Sequence, residues 1–143
     1  METTGQIIYP DGNAPASKQP LYANPVCAGF PSPADDYIEG KLDLNEHLIR
    51  HPAATFFVRA AGDSMVGAGI HHGDILIVDR ALEVSNGDVV IAVLEGELTV
   101  KRIRLAGGKR VLAPENSRYK PIELADDAEV TVWGVVTHVI HEL

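Results

Sequence analysis

Short runs of apolar residues dominate the second half of the chain and predict β-strands. The runs are rich in Val and Ile and are bounded by Gly, Pro and Asp, as is typical of strands joined by turns. Glu95-Gly96 and Gly107-Gly108 each separate two runs by the two residues of a tight hairpin. Many short strands at this spacing predict a mainly β domain that curls into a barrel-like body. The predicted strands span residues 55–61, 74–79, 88–94, 97–105, 109–113 and 129–140.

Two short helices are predicted ahead of these strands. The first has its N-cap at Ser32, followed by proline at the first helical position, and ends at Gly40. The second begins at Asp43, has Glu46 at the capping-box position and stops before Pro52.

The first 28 residues form a proline-rich arm. Proline stands at positions 10, 15, 20 and 25, so the arm cannot form a long helix and is expected to run extended over the surface. Ile7-Ile8-Tyr9 is predicted as a short strand that docks on the body. We therefore divide the chain into an arm, residues 1–28, and a β domain, residues 29–143.

Composition limits the classes of function. A chain of 143 residues with 45% apolar content has the size and hydropathy of one globular domain. Its formal net charge of −8 argues against a direct nucleic-acid surface, which needs a basic face. A local basic cluster is interpreted as a solvated hairpin; it comprises Lys101, Arg102, Arg104, Lys109 and Arg110.

The single cysteine and the short apolar runs indicate the cytoplasm. Cys27 has no partner for an internal disulfide, which fits a reducing compartment. We expect it to be a small apolar residue on the arm and not a nucleophile. No apolar run approaches the roughly 18 residues of a membrane span, and the N-terminus lacks the pattern of a signal peptide.

Ser64 and Lys101 are the candidate catalytic pair. Ser64 follows a predicted strand in a Gly-Asp-Ser turn, and Lys101 lies in an apolar strand pattern with Ile103 and Leu105 on its face. A neutral lysine can take the proton of a serine hydroxyl, and burial would lower the pKa of its amine from about 10.4. The residues alone leave two alternatives open: a lysine that protects a strand edge and a serine that caps a helical turn.

Two backbone features complete this hypothesis. The amides of Gly62 and Ser64 are candidate donors to an oxyanion. Ala28-Gly29 on the arm has the small side chains that suit a narrow pocket, as at bonds cut by secretory signal processing, and would be a substrate carried in the same chain. A plain linker junction is the alternative for these residues.

Taken together, the ordered segments from about residue 27 to residue 140 resemble the LexA and UmuD group of self-cleaving proteins, most closely UmuD. The resemblance rests on segments 29–37, 42–45, 51–55, 62–65, 73–79, 87–88 and 99–101, and on Pro114, Asn116, Ser117, Tyr119, Pro121-Ile122 and Gly134-Val135-Val136. It implies a β domain of the LexA and signal-peptidase type. We expect no DNA-binding domain of the LexA kind ahead of the arm.

The resemblance implies an SOS-response function. Ser64 would be the nucleophile and Lys101 the general base of a peptidase that cuts its own chain between Ala28 and Gly29. Ala28 stands after Cys27, so the bond is of the Ala-Gly type of LexA-like repressors and not the Cys-Gly type of UmuD.

The implied partners are proteins. A RecA filament on single-stranded DNA would stimulate the cut after DNA damage. The trimmed form, a homodimer, would then join a UmuC-like subunit of an error-prone translesion DNA polymerase. No cofactor is implied.

Two rival functions follow from the same residues. One is a non-enzymatic β-barrel interaction module whose arm docks on partners, and the other is a protease that acts on other proteins. No metal site is predicted, because His71-His72 and His138 with His141 lack cysteine and carboxylate partners at ligand spacing. These histidines are interpreted as surface or interface residues.

Overall fold

A computed structural model of the chain describes residues 4–23, 26, 28–29, 38–125 and 130–143, with the backbone alone at residues 4–6. Its strands are β1 (Thr4–Ile8), β2 (Lys18–Tyr22), β3 (Ile38–Asp43), β4 (Thr55–Ala60), β5 (Ile75–Asp79), β6 (Val89–Leu94), β7 (Glu97–Ala106), β8 (Lys109–Ala113), β9 (Ile122–Glu123) and β10 (Val130–Ile140). The one α-helix among the described residues, α1, is Leu44–Leu48, and two 3₁₀ turns span Pro52–Ala54 and Val66–Ala68.

The described residues form two compact units. The larger unit, here called the body, combines residues 4–10 with residues 51–125 and 130–143. The smaller unit falls within residues 11–50 and contains the antiparallel pair β2–β3 and helix α1. The predicted division between residues 28 and 29 concerns cleavage and stays a prediction.

The body is built on one eight-stranded antiparallel sheet, which confirms the mainly β prediction. Its strand order is β1-β4-β5-β10-β6-β7-β8-β9. Among the described strands β1 and β9 are the two edges and do not pair with each other, so the sheet is not closed into a barrel.

Strand β10 is the reason that the sheet curls. Its first half pairs with β6 and its second half with β5, and the register shifts once in each half. Such irregularities bend a strand and increase its twist. Apolar side chains form two clusters on opposite faces of the sheet, since Ile91 of β6 belongs to one and its neighbours Val90 and Ala92 to the other. The first cluster comprises Phe56, Val58, Ala60, Met65, Ile70, Leu76, Val78, Ile91 and Val100, and the second comprises Val90, Ala92, Ile103, Leu112, Leu124 and Val135.

The hairpin turns and the second helix form as their residues dictate. Glu95 and Gly96 both have positive φ, at 52° and 81°, which is the backbone of a type I′ turn. The carboxylate of Asp43 accepts hydrogen bonds from the amides of Asn45 and Glu46 and so caps α1 as predicted.

The prediction of the first helix is wrong at the residues that the structure describes. Residues 32–37 lie outside the described part of the chain. Ile38–Gly40, its predicted end, belong to β3 and pair with Leu21 and Tyr22 of β2. The partner strand lies in the arm, about twenty residues away in sequence, and a local capping pattern carries no information about such a partner.

No helix among the described residues combines the length and the hydropathy that crossing a membrane would require.

Gly134 lies where β10 packs tightly against β5. A Cβ added there would lie 2.8 Å from Cγ1 of Val78 and 3.1 Å from the carbonyl oxygen of Asp79. Gly134→Ala should therefore destabilise the protein by about 1–3 kcal/mol, measured by urea unfolding. The control is Gly40→Ala in β3, where an added Cβ meets no atom within 4 Å. Equal stabilities of the two variants would contradict the close approach of β10 to β5.

Candidate active site

Ser64 lies at the end of a turn that leaves the sheet after β4. The chain passes from Ala60 through Gly62, whose φ of 86° favours glycine, and reaches Ser64 just before the 3₁₀ turn at Val66–Ala68. The serine is fully buried, and its neighbour Met65 is part of the first core cluster. Burial and core packing hold the hydroxyl in a fixed place.

Lys101 lies in the middle of β7, opposite Val90 of β6. The strand is interior to the sheet, since β8 flanks its other side, and the side chain of Lys101 is only 5% exposed. It is therefore not a lysine that protects a strand edge.

The sheet must curl for these two residues to meet. β4 and β7 are separated by three strands in the sheet order, which corresponds to about 19 Å in a flat sheet. Nevertheless Nζ of Lys101 donates a hydrogen bond to Oγ of Ser64 at 3.1 Å. The sheet is therefore curled, and the irregular β10 lies between the two strands.

The Lys101 amine is buried among oxygen acceptors. Besides Ser64, Nζ donates to Oγ1 of Thr99 at 2.9 Å and to the carbonyl oxygen of Val100 at 3.0 Å. Loss of the proton directed at Ser64 would leave two N–H groups for Thr99 and Val100 and turn the lone pair toward the serine O–H. The acceptors favour the charged ammonium, whereas burial disfavours it.

The two candidate oxyanion donors differ in what they contact. The amide of Gly62 donates to Nδ1 of His72 at 3.1 Å and is therefore already engaged. Within the described part of the chain, the amide of Ser64 donates to no protein acceptor. Of the two amides, that of Ser64 is therefore the one that remains available to donate a hydrogen bond to an oxyanion.

A loop that the motif analysis did not interpret braces the serine turn. This bracing loop, residues 114–119, donates from the amide of Glu115 to the carbonyl of Ser64 and accepts at Glu115 from the amide of Gly67, at 2.8 and 2.7 Å. Its Asn116 side chain donates to the carbonyl of Asp63, and its Tyr119 hydroxyl donates to the Asp63 carboxylate. The sequence analysis named residues of this segment only for the family resemblance, because the targets of the loop are set by tertiary folding.

Part of the predicted basic cluster anchors the bracing loop. Arg102 donates to the carboxylate of Glu115 and to the carbonyl of Gly87, and Arg104 lies 3.4 Å from the same carboxylate. These arginines are thus tied to the loop that holds the serine turn and are not simply solvated.

The proposed scissile residues lie in the smaller unit. Ala28 and Gly29 are exposed and form a bend, and a Cβ added at Gly29 would meet no atom within 4 Å. Cys27 lies outside the described residues.

The histidine prediction needs a correction, because a carboxylate does accompany two of the histidines. Asp74 is 4% exposed and accepts from Nδ1 of His141 at 2.6 Å and from the amide of His71 at 2.7 Å. Ligand atoms of the three residues lie within 4.8 Å of one another, so they could hold a metal ion, although the hydrogen bonds account for the arrangement without one. The sequence separates Asp74 and His141 by 67 residues, which hid the pairing.

Hydrogen bonding determines the charge of Asp74. Burial acts to raise the pKa of its carboxyl, but the bonds from His141 and the His71 amide, with the two imidazoles nearby, outweigh burial and hold the pKa below its ordinary 3.8. The carboxylate therefore stabilises the folded state at every pH above that value.

Comparison with known proteins gives consistent matches. The Peptidase S24-like family matches residues 20–137. SamA of Salmonella typhimurium is 46% identical over 95% of this chain and 94% of its own length. ImpA of Escherichia coli is 50% identical over 86% of this chain and 83% of its own, and MucA of Escherichia coli is 44% identical over 95% and 93%.

The Asp74 contacts predict a stability loss that depends on pH. Asp74→Asn should lower the free energy of unfolding by about 1.5–3 kcal/mol at pH 7 and pH 5, because a buried charged acceptor is lost. The difference should shrink as the pH falls below 3.8, because the carboxyl of the unfolded chain then takes up a proton that the folded carboxylate, with its lower pKa, accepts only at still lower pH. Urea unfolding at pH 7, 5 and 3 measures it, with Glu142→Gln as an exposed control. A difference that is unchanged at pH 3 would show that ionisation of Asp74 is not what stabilises the fold.

Proposed function

The chain belongs to the Peptidase S24-like family, and from that premise we propose that it is a UmuD-like SOS protein that cuts its own chain between Ala28 and Gly29. The observation that carries the proposal is the 3.1 Å contact between the buried Lys101 amine and the Ser64 hydroxyl. A buried serine beside a buried amine is a nucleophile with its base already in place.

The reaction begins with proton transfer. Neutral Lys101 takes the proton of the Ser64 hydroxyl while Oγ forms a bond to the carbonyl carbon of Ala28. The Ser64 amide donates to the resulting oxyanion. When the intermediate collapses, the bond from Ala28 to the nitrogen of Gly29 breaks, and the Lys101 ammonium returns its proton to the leaving amine.

Hydrolysis of the ester completes the cut. Residues 1–28 are then attached to Ser64 through the Ala28 carbonyl. Lys101, neutral again, takes a proton from a water molecule that attacks this carbonyl, and it gives the proton to Oγ as the ester breaks. The products are a peptide ending in the Ala28 carboxylate and a trimmed chain that begins at Gly29.

Thr99 and the bracing loop are positioning residues in this scheme. Thr99 accepts one hydrogen of the Lys101 amine and so directs its lone pair. The bracing loop holds the serine turn through the backbone of Ser64 and the side chain of Asp63. Their effect is on geometry, because none of them exchanges a proton with the substrate.

The wider function rests on the resemblance to UmuD and on the similarity to SamA, ImpA and MucA. A RecA filament on single-stranded DNA would favour the state in which the arm occupies the site, without supplying a chemical group. The trimmed form would act in the cytoplasm as a homodimeric accessory subunit of an error-prone polymerase. The net charge of −8 fits a protein that works near DNA through other proteins.

Removing either member of the pair should abolish the cut. Ser64→Ala and Lys101→Ala are each expected to reduce the first-order cleavage rate to below about 1% of wild type, since nucleophile and base act as a unit. Intact-mass analysis at alkaline pH, and at neutral pH with RecA, nucleotide and single-stranded DNA, follows the loss of residues 1–28. Ser85→Ala and Lys109→Ala, at exposed positions, are the matched controls.

Two results would contradict the assignment. Cleavage by either variant at a tenth of the wild-type rate or faster would remove that residue from the mechanism. A wild-type chain that stays whole under both conditions would favour a non-enzymatic module.

The cleavage rate should rise with pH. Lys101 is a base only when unprotonated, so the rate should increase about tenfold per unit below the pKa of its amine and level off above it. Burial acts to lower that pKa from the roughly 10.4 of free lysine, so the plateau should begin before pH 10.4. Rates measured by gel from pH 7 to 10.5 without RecA, with circular dichroism to verify folding, give the profile. A flat profile, or a rise completed between pH 6 and 7, would point to a base other than Lys101.

A further inference from the structure

The segment that the proposed cut removes includes an edge strand of the catalytic sheet. β1 lies 20 residues before Ala28 in the arm, yet it belongs to the body and pairs antiparallel with β4. Its register places Ile7 opposite Val58 and Ile8 opposite Phe57. With β5 on its other side, β4 would become the edge of the sheet if β1 left.

Ile7 of β1 is directed into the body. Ile7 is partly buried and packs against the first core cluster, whereas Ile8 on the opposite face is 42% exposed. Ile7 and Tyr9 line a cleft with three side chains of the body: Phe56, Arg80 and Trp133. Phe56 and Trp133 meet edge to face there, with ring centroids 6.1 Å apart, and give the cleft an aromatic wall.

We propose that the outer edge of β4, with the Phe56–Trp133 cleft, is a binding site for an extended peptide, masked by β1 in the intact chain and opened by the cut. Strand addition to a sheet edge supplies backbone hydrogen bonds, and the cleft selects a β-branched apolar side chain at the position of Ile7. The ligand in the trimmed protein is therefore an extended segment with the chemistry of residues 4–9.

Tethering explains why the cut opens the site. In the intact chain β1 competes for the edge at an effective concentration of about 1 mM. A short strand that binds with a dissociation constant of about 0.1 mM would then occupy the site and weaken a competing peptide about tenfold. After the cut, residues 1–28 are no longer covalently attached and are held only by the pairs β1–β4 and β2–β3. The competition ends when this fragment dissociates.

The test uses the full-length chain and a fluorescein-labelled peptide of residues 4–12. Ser64→Ala keeps the chain uncut, and Ile7→Asp added to it should release β1 and open the edge. We expect this double variant to bind the peptide by fluorescence anisotropy at least about tenfold more tightly than the Ser64→Ala chain does. Ile8→Asp, on the exposed face of the same strand, is the matched control and should leave the site masked.

Substitutions in the peptide give a second readout, which a folding defect of the protein cannot explain because the same open chain is used with every peptide. The labelled peptide carrying Ile7→Asp should lose binding to the open chain, while the peptide carrying Ile8→Asp should bind as the unchanged peptide does. Equal binding to masked and open chains, no binding to the open chain up to about 1 mM peptide, or equal loss with both peptides would overturn the proposal.

This inference rests on the proposed cleavage for its biological switch, but its site is tested separately. The Ile7→Asp chain opens the edge without any cut, so binding to it supports the site even if the chain never cleaves itself. Conversely, a wild-type chain that trims itself and then fails to bind the peptide overturns the site and leaves the cleavage intact.

Discussion

The burial of the Lys101 amine is the constraint on which the rest of the site depends. A charged lysine is almost never placed in a protein interior, because withdrawing an ammonium from water is unfavourable. Here the strand that carries it lies inside the sheet, and three acceptors surround Nζ. The fold thereby buries an amine within hydrogen-bond reach of the Ser64 hydroxyl, and burial acts against its charged form. The curl of the sheet, the irregular β10 and the bracing loop all act to bring and keep the serine at that amine.

The sequence predicted most of the body because local chemistry decides it. Alternating Val and Ile runs and two-residue glycine turns are sufficient to locate β4 to β8 and β10 within a residue or two. Asp43 caps α1 because its carboxylate reaches amides only two and three residues away. By contrast, β2 and β3 depend on a pairing between the arm and residues 38–43, and β9 is only two residues long. Elements that depend on a distant partner leave little trace in a local pattern.

The same distinction applies to the site. Ser64 and Lys101 could be identified because they lie in a series of motifs that follows the order of the LexA and UmuD group. The structure places the two side chains in contact. The role of Glu115 and Asn116 could not be inferred, because their targets lie about 50 residues away and are backbone atoms. Asp74 was missed as a partner of His141 for the same reason. The sheet was predicted to be barrel-like, and it does curl. Closure into a barrel requires the two edge strands to pair with each other, and a local sequence pattern does not predict such a pairing.

Cleavage through Ser64 requires a Lys101 amine that is neutral enough to act as its base. The most direct test is an NMR titration of the Lys101 side chain, with ¹³C at Cε, in the folded Ser64→Ala chain between pH 6 and 11. Burial in this site should give a pKa below the roughly 10.4 of a free lysine. A Lys101 pKa at or above about 10.4 would mean that the amine remains charged at the pH at which it must accept a proton, and Lys101 could not be the base.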